Sequence, residues 1–96
     1  MLEVRETDVF ADWFAGLRDR KARARITARI RRLSLGNPGD VKPIGSGVSE
    51  MRIDYGPGYR VYFVGRGDAV VVLLCGSDKR GQDRDIARAL ELETEV

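Results

Sequence analysis

The stretch that most constrains the fold runs from Gly47 to Ser77, where apolar segments alternate with two glycine turns, Gly56-Pro57-Gly58 and Gly65-Arg66-Gly67-Asp68. Proline presets φ, and glycine supplies the positive φ that tight hairpin loops need. The segments between are rich in Val, Ile, Tyr and Phe, so the stretch predicts three antiparallel strands. Turn placement fixes register. With Gly56 to Gly58 as the loop, Tyr55 faces Tyr59, Asp54 faces Arg60, Ile53 faces Val61 and Arg52 faces Tyr62. Side chains alternate along a strand. One face then carries Met51, Ile53, Tyr55, Tyr59, Val61 and Phe63, and the other carries Glu50, Arg52, Asp54, Arg60 and Tyr62. Extension through the Arg66-Gly67 turn adds Val70, Val72 and Leu74 to the apolar face. It adds Val71, Leu73 and Cys75 to the arginine face, with Lys79 just past the strand end. The first face reads as core, and the second is the place to look for function.

Composition narrows the chemistry. There is no histidine and a single cysteine. The usual general acid/base, the usual metal ligand and every His-dependent triad are therefore absent. Cys75 can form neither an internal disulfide nor a cysteine metal cage, and its apolar strand context marks it as a packed thiol. One third of the residues are charged and 43% are hydrophobic, the balance of an ordered domain. Residues 1–96 suffice for one domain built from a sheet and a few helices. No run approaches the roughly 18 apolar residues of a membrane span, and no signal segment opens the chain. A cytoplasmic protein with no membrane partner is expected.

The net charge is only +2, but it is unevenly spread. Arg18, Arg20, Lys21, Arg23, Arg25, Arg29, Arg31 and Arg32 crowd one segment against a single acid, Asp19. The last segment carries Asp83, Asp85, Glu91, Glu93 and Glu95. Such asymmetry suits a polyanionic partner for the basic part, although a solvated helix face has the same composition.

The flanking elements follow from spacing and caps. Leu2 to Arg5 alternates and reads as a first strand. Thr7 is an N-cap, with Asp8 well placed against the helix dipole. Phe10, Trp13, Phe14 and Leu17 then recur at helical spacing. Asp19 caps a second helix lined by Ala22, Ile26, Ile30 and Leu33, which Gly36 and Pro38 end. This helical hairpin should cover the apolar side of the sheet, its aromatic stripe serving as core. Val41 to Gly45, interrupted by Pro43, should be an edge piece. A helix from Gln82 to about Glu95 presents Ile86, Ala89 and Leu90. It either lies across Val71 and Leu73 or leaves that patch to a partner.

The whole order gives an α+β fold and resembles the RelE/ParE superfamily of toxins. Four phrases, Gly47-Val48-Ser49-Glu50-Met51-Arg52-Ile53, Gly58-Tyr59-Arg60-Val61-Tyr62-Phe63, Leu73-Leu74-Cys75-Gly76 with Asp78-Lys79, and Asp85-Ile86-Ala87-Arg88-Ala89, closely resemble its HigB-like "addiction module killer protein" branch. The resemblance implies a RelE-like fold: a strand and helical hairpin on one face of a small antiparallel sheet, with a C-terminal helix. It also implies a type II toxin neutralised by a helix-turn-helix, HigA-like antitoxin, the complex repressing its own operator DNA. RelE- and HigB-type members cut mRNA on the ribosome, usually without a metal or other cofactor. ParE-type members inhibit DNA gyrase. A degenerate toxin surviving only as part of the repressor is the third reading.

Metal-free RNA cleavage needs a base for the 2′-OH, charge stabilisation at phosphorus, an acid for the leaving oxygen, and alignment. Arg60 is the first candidate to hold the phosphate, because its fork matches phosphate oxygens and stays charged. It also stands where catalytic relatives carry their strand arginine. Arg52 could share that task, Lys79 could position phosphate or act as acid, and Tyr62 could stack on a base or orient the 2′-OH. Asp54 or Asp78 could be the base, or could simply pair with Arg60 and Lys79; Arg52 with Glu50 is an ordinary surface arrangement. Arg23, Arg25, Arg29, Arg32 and Arg80 are the candidates for RNA contact. Many RNA-cleaving relatives carry a tyrosine or histidine after the last strand, and none follows it here.

Overall fold

A computed structural model describes residues 1–96. The chain runs β1 (Glu3–Glu6), α1 (Asp8–Ala15), α2 (Arg20–Ser34), β2 (Val41–Gly45), β3 (Val48–Ile53), β4 (Tyr59–Arg66), β5 (Val70–Ser77), a 3-10 turn (Lys79–Gly81) and α3 (Gln82–Glu93). The sheet order is β1-β5-β4-β3-β2. It is mixed rather than purely antiparallel, because β1 enters beside β5 in parallel, Val4 opposite Val71. The architecture is α+β and consistent with a RelE-like fold.

Local chemistry explains the helix ends. Thr7 accepts from the Phe10 amide at 3.0 Å, and its own hydroxyl donates to the Leu74 carbonyl at 2.6 Å, so this cap also docks α1 on β5. Asp19 accepts from the Lys21 and Ala22 amides at 2.9 and 3.2 Å. α2 ends in a Schellman pair: the Gly36 amide donates to Leu33 and the Asn37 amide to Arg32, with Gly36 at φ +86°. Pro43 lies on β2, an edge strand where a missing donor costs nothing to the ladder.

Apolar side chains are buried on both sides of the sheet. On one side Phe10, Ile26 and Leu33 from the helical hairpin meet Met51, Ile53, Val61, Val71 and Leu73, with Trp13, Phe14, Leu17 and Ile30 packed around them. On the other, Ala89 and Leu92 of α3 meet Val48, Tyr62, Val64, Val72, Leu74 and Cys75. α3 therefore occupies the second face. Burial pushes the Cys75 thiol up to about 12, so it packs as a neutral group.

Two registers differ from expectation. In the β3–β4 hairpin Ile53 pairs with Tyr59, Arg52 with Arg60, and Glu50 with Tyr62. The loop starts at Asp54, so each partner moves by an even number of residues and the faces are preserved. In the β4–β5 hairpin Arg66 pairs with Val70 and Phe63 with Leu73, which displaces the partners by an odd number and reverses the faces. Val71 and Leu73 belong to the hairpin side, whereas Val70, Val72 and Leu74 lie on the α3 side. A bulge between Tyr62 and Phe63 then returns Cys75 to the expected face, opposite Tyr62.

Candidate functional site

The end of the sheet where β3 and β4 meet the 3-10 turn holds a cleft of about 300 Å³, lined by Asp40, Arg52, Ile53, Asp54, Gly58, Tyr59, Arg60 and Lys79. Alternation sends Arg52 and Arg60 to the same side, and their direct cross-strand pairing places two like charges side by side. Such a pair repels unless an anion lies between or behind it. Here the anion is behind. Glu50, two residues before Arg52 on the same face, is fully buried. It accepts from Arg52 Nε at 2.9 Å, Tyr62 Oη at 3.3 Å and Gln82 Nε2 at 3.3 Å, with Arg60 Nε 3.5 Å away.

Burial alone would raise the Glu50 carboxyl. The Arg52 hydrogen bond, the Arg60 charge and the Gln82 and Tyr62 hydrogen bonds outweigh it and hold the group below the usual carboxylate range. Glu50 is therefore an ionised anion inside the fold, not half of a surface pair. Of the two readings open for Asp54, the ion pair with Arg60 does not form; Arg60 Nε lies 3.5 Å from Glu50 instead.

Tyr62, expected on the open face, is not accessible to RNA. It is completely buried under α3, and its hydroxyl is spent on Glu50. Burial and the neighbouring carboxylate push its phenol up to about 12. It offers no ring face to a base and no hydroxyl to a 2′-OH. Its role is to donate to Glu50.

Lys79 is exposed at the cleft rim, its Cβ only 3.8 Å from where a side chain on Gly58 would begin. Asp78 caps the 3-10 turn and pairs with Arg80 at 2.9 Å; the Arg80 contacts keep its carboxyl lowered and make it a poor base. Arg80 lines a neighbouring groove with Lys79 and Arg84 rather than the cleft itself. Asp54 and Asp40 line the cleft without forming an ion pair.

The basic helix divides. Arg25 and Arg32 line a second groove of about 310 Å³ with Arg29, Ile53 and Asp54, and Ile53 and Asp54 are shared with the first cleft. Arg25 also covers the Tyr55 ring, 4.9 Å from its centroid. Arg23 instead sits over Phe14, outside both grooves. Arg29 was expected to contact RNA, but its guanidinium is engaged in the fold. It donates to the Arg52 carbonyl, to Pro38 O at 3.0 Å and to Asp40 O at 3.4 Å, bracing α2 and the following loop against β3.

A family model described as "Phage derived protein Gp49-like (DUF891)" matches residues 12–92. The chain belongs to this family. Gp49-like proteins are associated with toxin–antitoxin systems. An uncharacterized protein of Haemophilus influenzae is 44% identical over 95 residues, covering 99% of this chain and 96% of its own. The Gp49-like match spans every residue of the cleft, from Asp40 to Lys79.

Proposed function

We propose that this Gp49-like chain is the toxin of a type II toxin–antitoxin system in the HigB-like branch of the RelE/ParE superfamily, and that it cleaves mRNA on the ribosome. The observation that carries the reading is the convergence of Arg52, Arg60 and Lys79 on one cleft with an unpaired carboxylate, Asp54. In this scheme Asp54 takes the 2′-OH proton as that oxygen attacks the adjacent phosphorus in line. Arg60 and Arg52 hold the phosphorane oxygens, and Lys79 gives a proton to the departing 5′-oxygen. The products are a 2′,3′-cyclic phosphate and a free 5′-hydroxyl, so atoms and protons balance. Arg25 and Arg32, in the adjoining groove, contact the backbone of the same RNA or of ribosomal RNA. The neutralising partner is a helix-turn-helix antitoxin that covers this cationic surface, and the pair binds operator DNA.

Cell-free translation with primer extension on the message tests the reading. Wild-type protein is expected to produce ribosome-dependent cuts, and Lys79→Ala or Arg60→Ala to reduce them by at least about 100-fold. Lys79 is the cleaner variant, since its side chain is exposed and forms no hydrogen bond or ion pair within the fold. Intact message and continued translation at saturating protein would overturn the proposal. The lack of a tyrosine or histidine after β5 favours the second reading, a gyrase inhibitor. A supercoiling assay with purified gyrase then decides that reading.

A further inference from the structure

We infer that Glu50 is a positioning residue for the cleft: its buried carboxylate aims Arg52 and Arg60 outward and ties the segment carrying Lys79 to the same point. The inference rests on the cleft being the RNA-cleaving site.

The carboxylate divides its work between two oxygens. Oε1 faces Arg52 Nε at 2.9 Å and Arg60 Nε at 3.5 Å, and Oε2 accepts from Tyr62 and Gln82 at 3.3 Å each. Both guanidinium groups meet Glu50 through Nε, the nitrogen nearest the backbone. Their outer nitrogens are left to the cleft: those of Arg52 make no hydrogen bond within the protein, and Arg60 spends only Nη1, on Gly58 O at 3.2 Å. Terminal guanidinium nitrogens are the atoms that grip phosphate oxygens in a fork. Glu50 thus occupies the edge of each arginine that a phosphate does not need.

The fourth contact reaches further along the chain. Gln82 opens α3 immediately after the turn Lys79–Gly81. Its bond to Oε2 fastens that turn to β3, beside the two arginines. One anion therefore sets the relative placement of three cations from three elements. Replacing it with an apolar residue would remove a costly buried charge but would release all three. Arg60 Nε is buried and finds no hydrogen-bond partner of its own, so the near contact with Oε1 is what holds it.

Glu50→Gln keeps the shape and removes the charge. Its test has two readouts. The first is single-turnover cleavage on programmed ribosomes, with ribosome affinity measured separately. The expected result is a rate lowered about 10- to 100-fold, with affinity changed less than about threefold, since misaligned groups lose the transition state before they lose binding. A merely structural Glu50 would lower the melting temperature and leave the rate of the folded protein unchanged. The second readout is solvent exchange of the Arg52 and Arg60 Nε–H protons by NMR, which needs no activity. Exchange is expected to be slow in the wild type and fast in Glu50→Gln.

A rate within about twofold of wild type, or equal exchange in the two proteins, would overturn the inference. If wild type leaves the message intact, the cleavage reading fails by itself and the exchange readout still decides whether Glu50 holds the arginines. Should Glu50→Gln not fold, Gln82→Ala is the second variant, because it keeps the anion and both arginines. Cleavage slowed several-fold is expected there, and an unchanged rate would count against the link to Lys79.

Discussion

A single carboxylate inside the sheet makes this protein's stability depend on acid. The folded-state value of Glu50 is lowered, so its contribution is fully present above the ordinary carboxyl range and is lost as pH falls through the lower folded value. Urea unfolding of wild type between pH 7 and 3 should show a falling midpoint, and the decline should be shallower in Glu50→Gln. Equal slopes in the two proteins would mean that other carboxylates dominate. Removing the side chain altogether, as in Glu50→Ala, takes the anion from the partly exposed Arg60 and leaves the buried Tyr62 hydroxyl unpaired, and should cost about 1–3 kcal/mol. At this scale the sequence was readable only in part. Alternation placed Glu50 and Tyr62 with the arginines correctly, but it could not say which members of that face the last helix would cover. Ala89 and Leu92 reach across Tyr62, and what read as an open tyrosine became an interior donor. Arg29 looked the same as Arg25 and Arg32 in a basic run. What distinguishes it is the arrival of the Arg52, Pro38 and Asp40 carbonyls at its guanidinium.

At the level of elements, α1 lies tightly against β5 at one point. Gly76 lies against the Trp13 ring, and a β-carbon there would overlap its Cε3 and Cζ3 atoms. Gly76→Ala should therefore destabilise by about 1–3 kcal/mol through overpacking, with Trp13→Leu in the same chain restoring part of the loss. Chemical denaturation of the two single variants and the double variant measures the coupling. The helix boundaries were legible because Thr7, Asp19 and Gly36 carry their signals in their own chemistry. The strand faces were harder. Both turns fall at the expected glycines, but both pairing registers differ, and one difference moves partners by an even number and does no harm. The other was odd and exchanged Val71 and Leu73 for Val72 and Leu74. Both sets are apolar, so composition offered no correction.

Across the whole molecule, charge is sorted by element. α2 and the cleft are cationic, whereas α3 carries Asp83, Asp85, Glu91 and Glu93, with Glu95 just beyond its end. On the proposed reading, affinity for RNA should weaken steeply with salt. Arg32→Ala should lower the log–log salt slope by about one without changing base preference, and Arg29→Ala should act chiefly on stability. Fluorescence titration with a short RNA at several salt concentrations separates these outcomes; an unchanged slope in Arg32→Ala removes the second groove from the binding path.

The pairing of β1 with β5 has a temporal meaning as well. Glu3 donates to Ala69 and Thr7 to Leu73, so the first strand has no strand partner until residues 69–73 have been made. The carboxylate at Glu50 likewise waits for Gln82. During synthesis the emerging polypeptide has neither a closed sheet nor an assembled cleft, and long-range pairing of this kind forms slowly. On the proposed reading, the chain would stay harmless to the ribosome producing it until the stretch from Ala69 to Gln82 had been made.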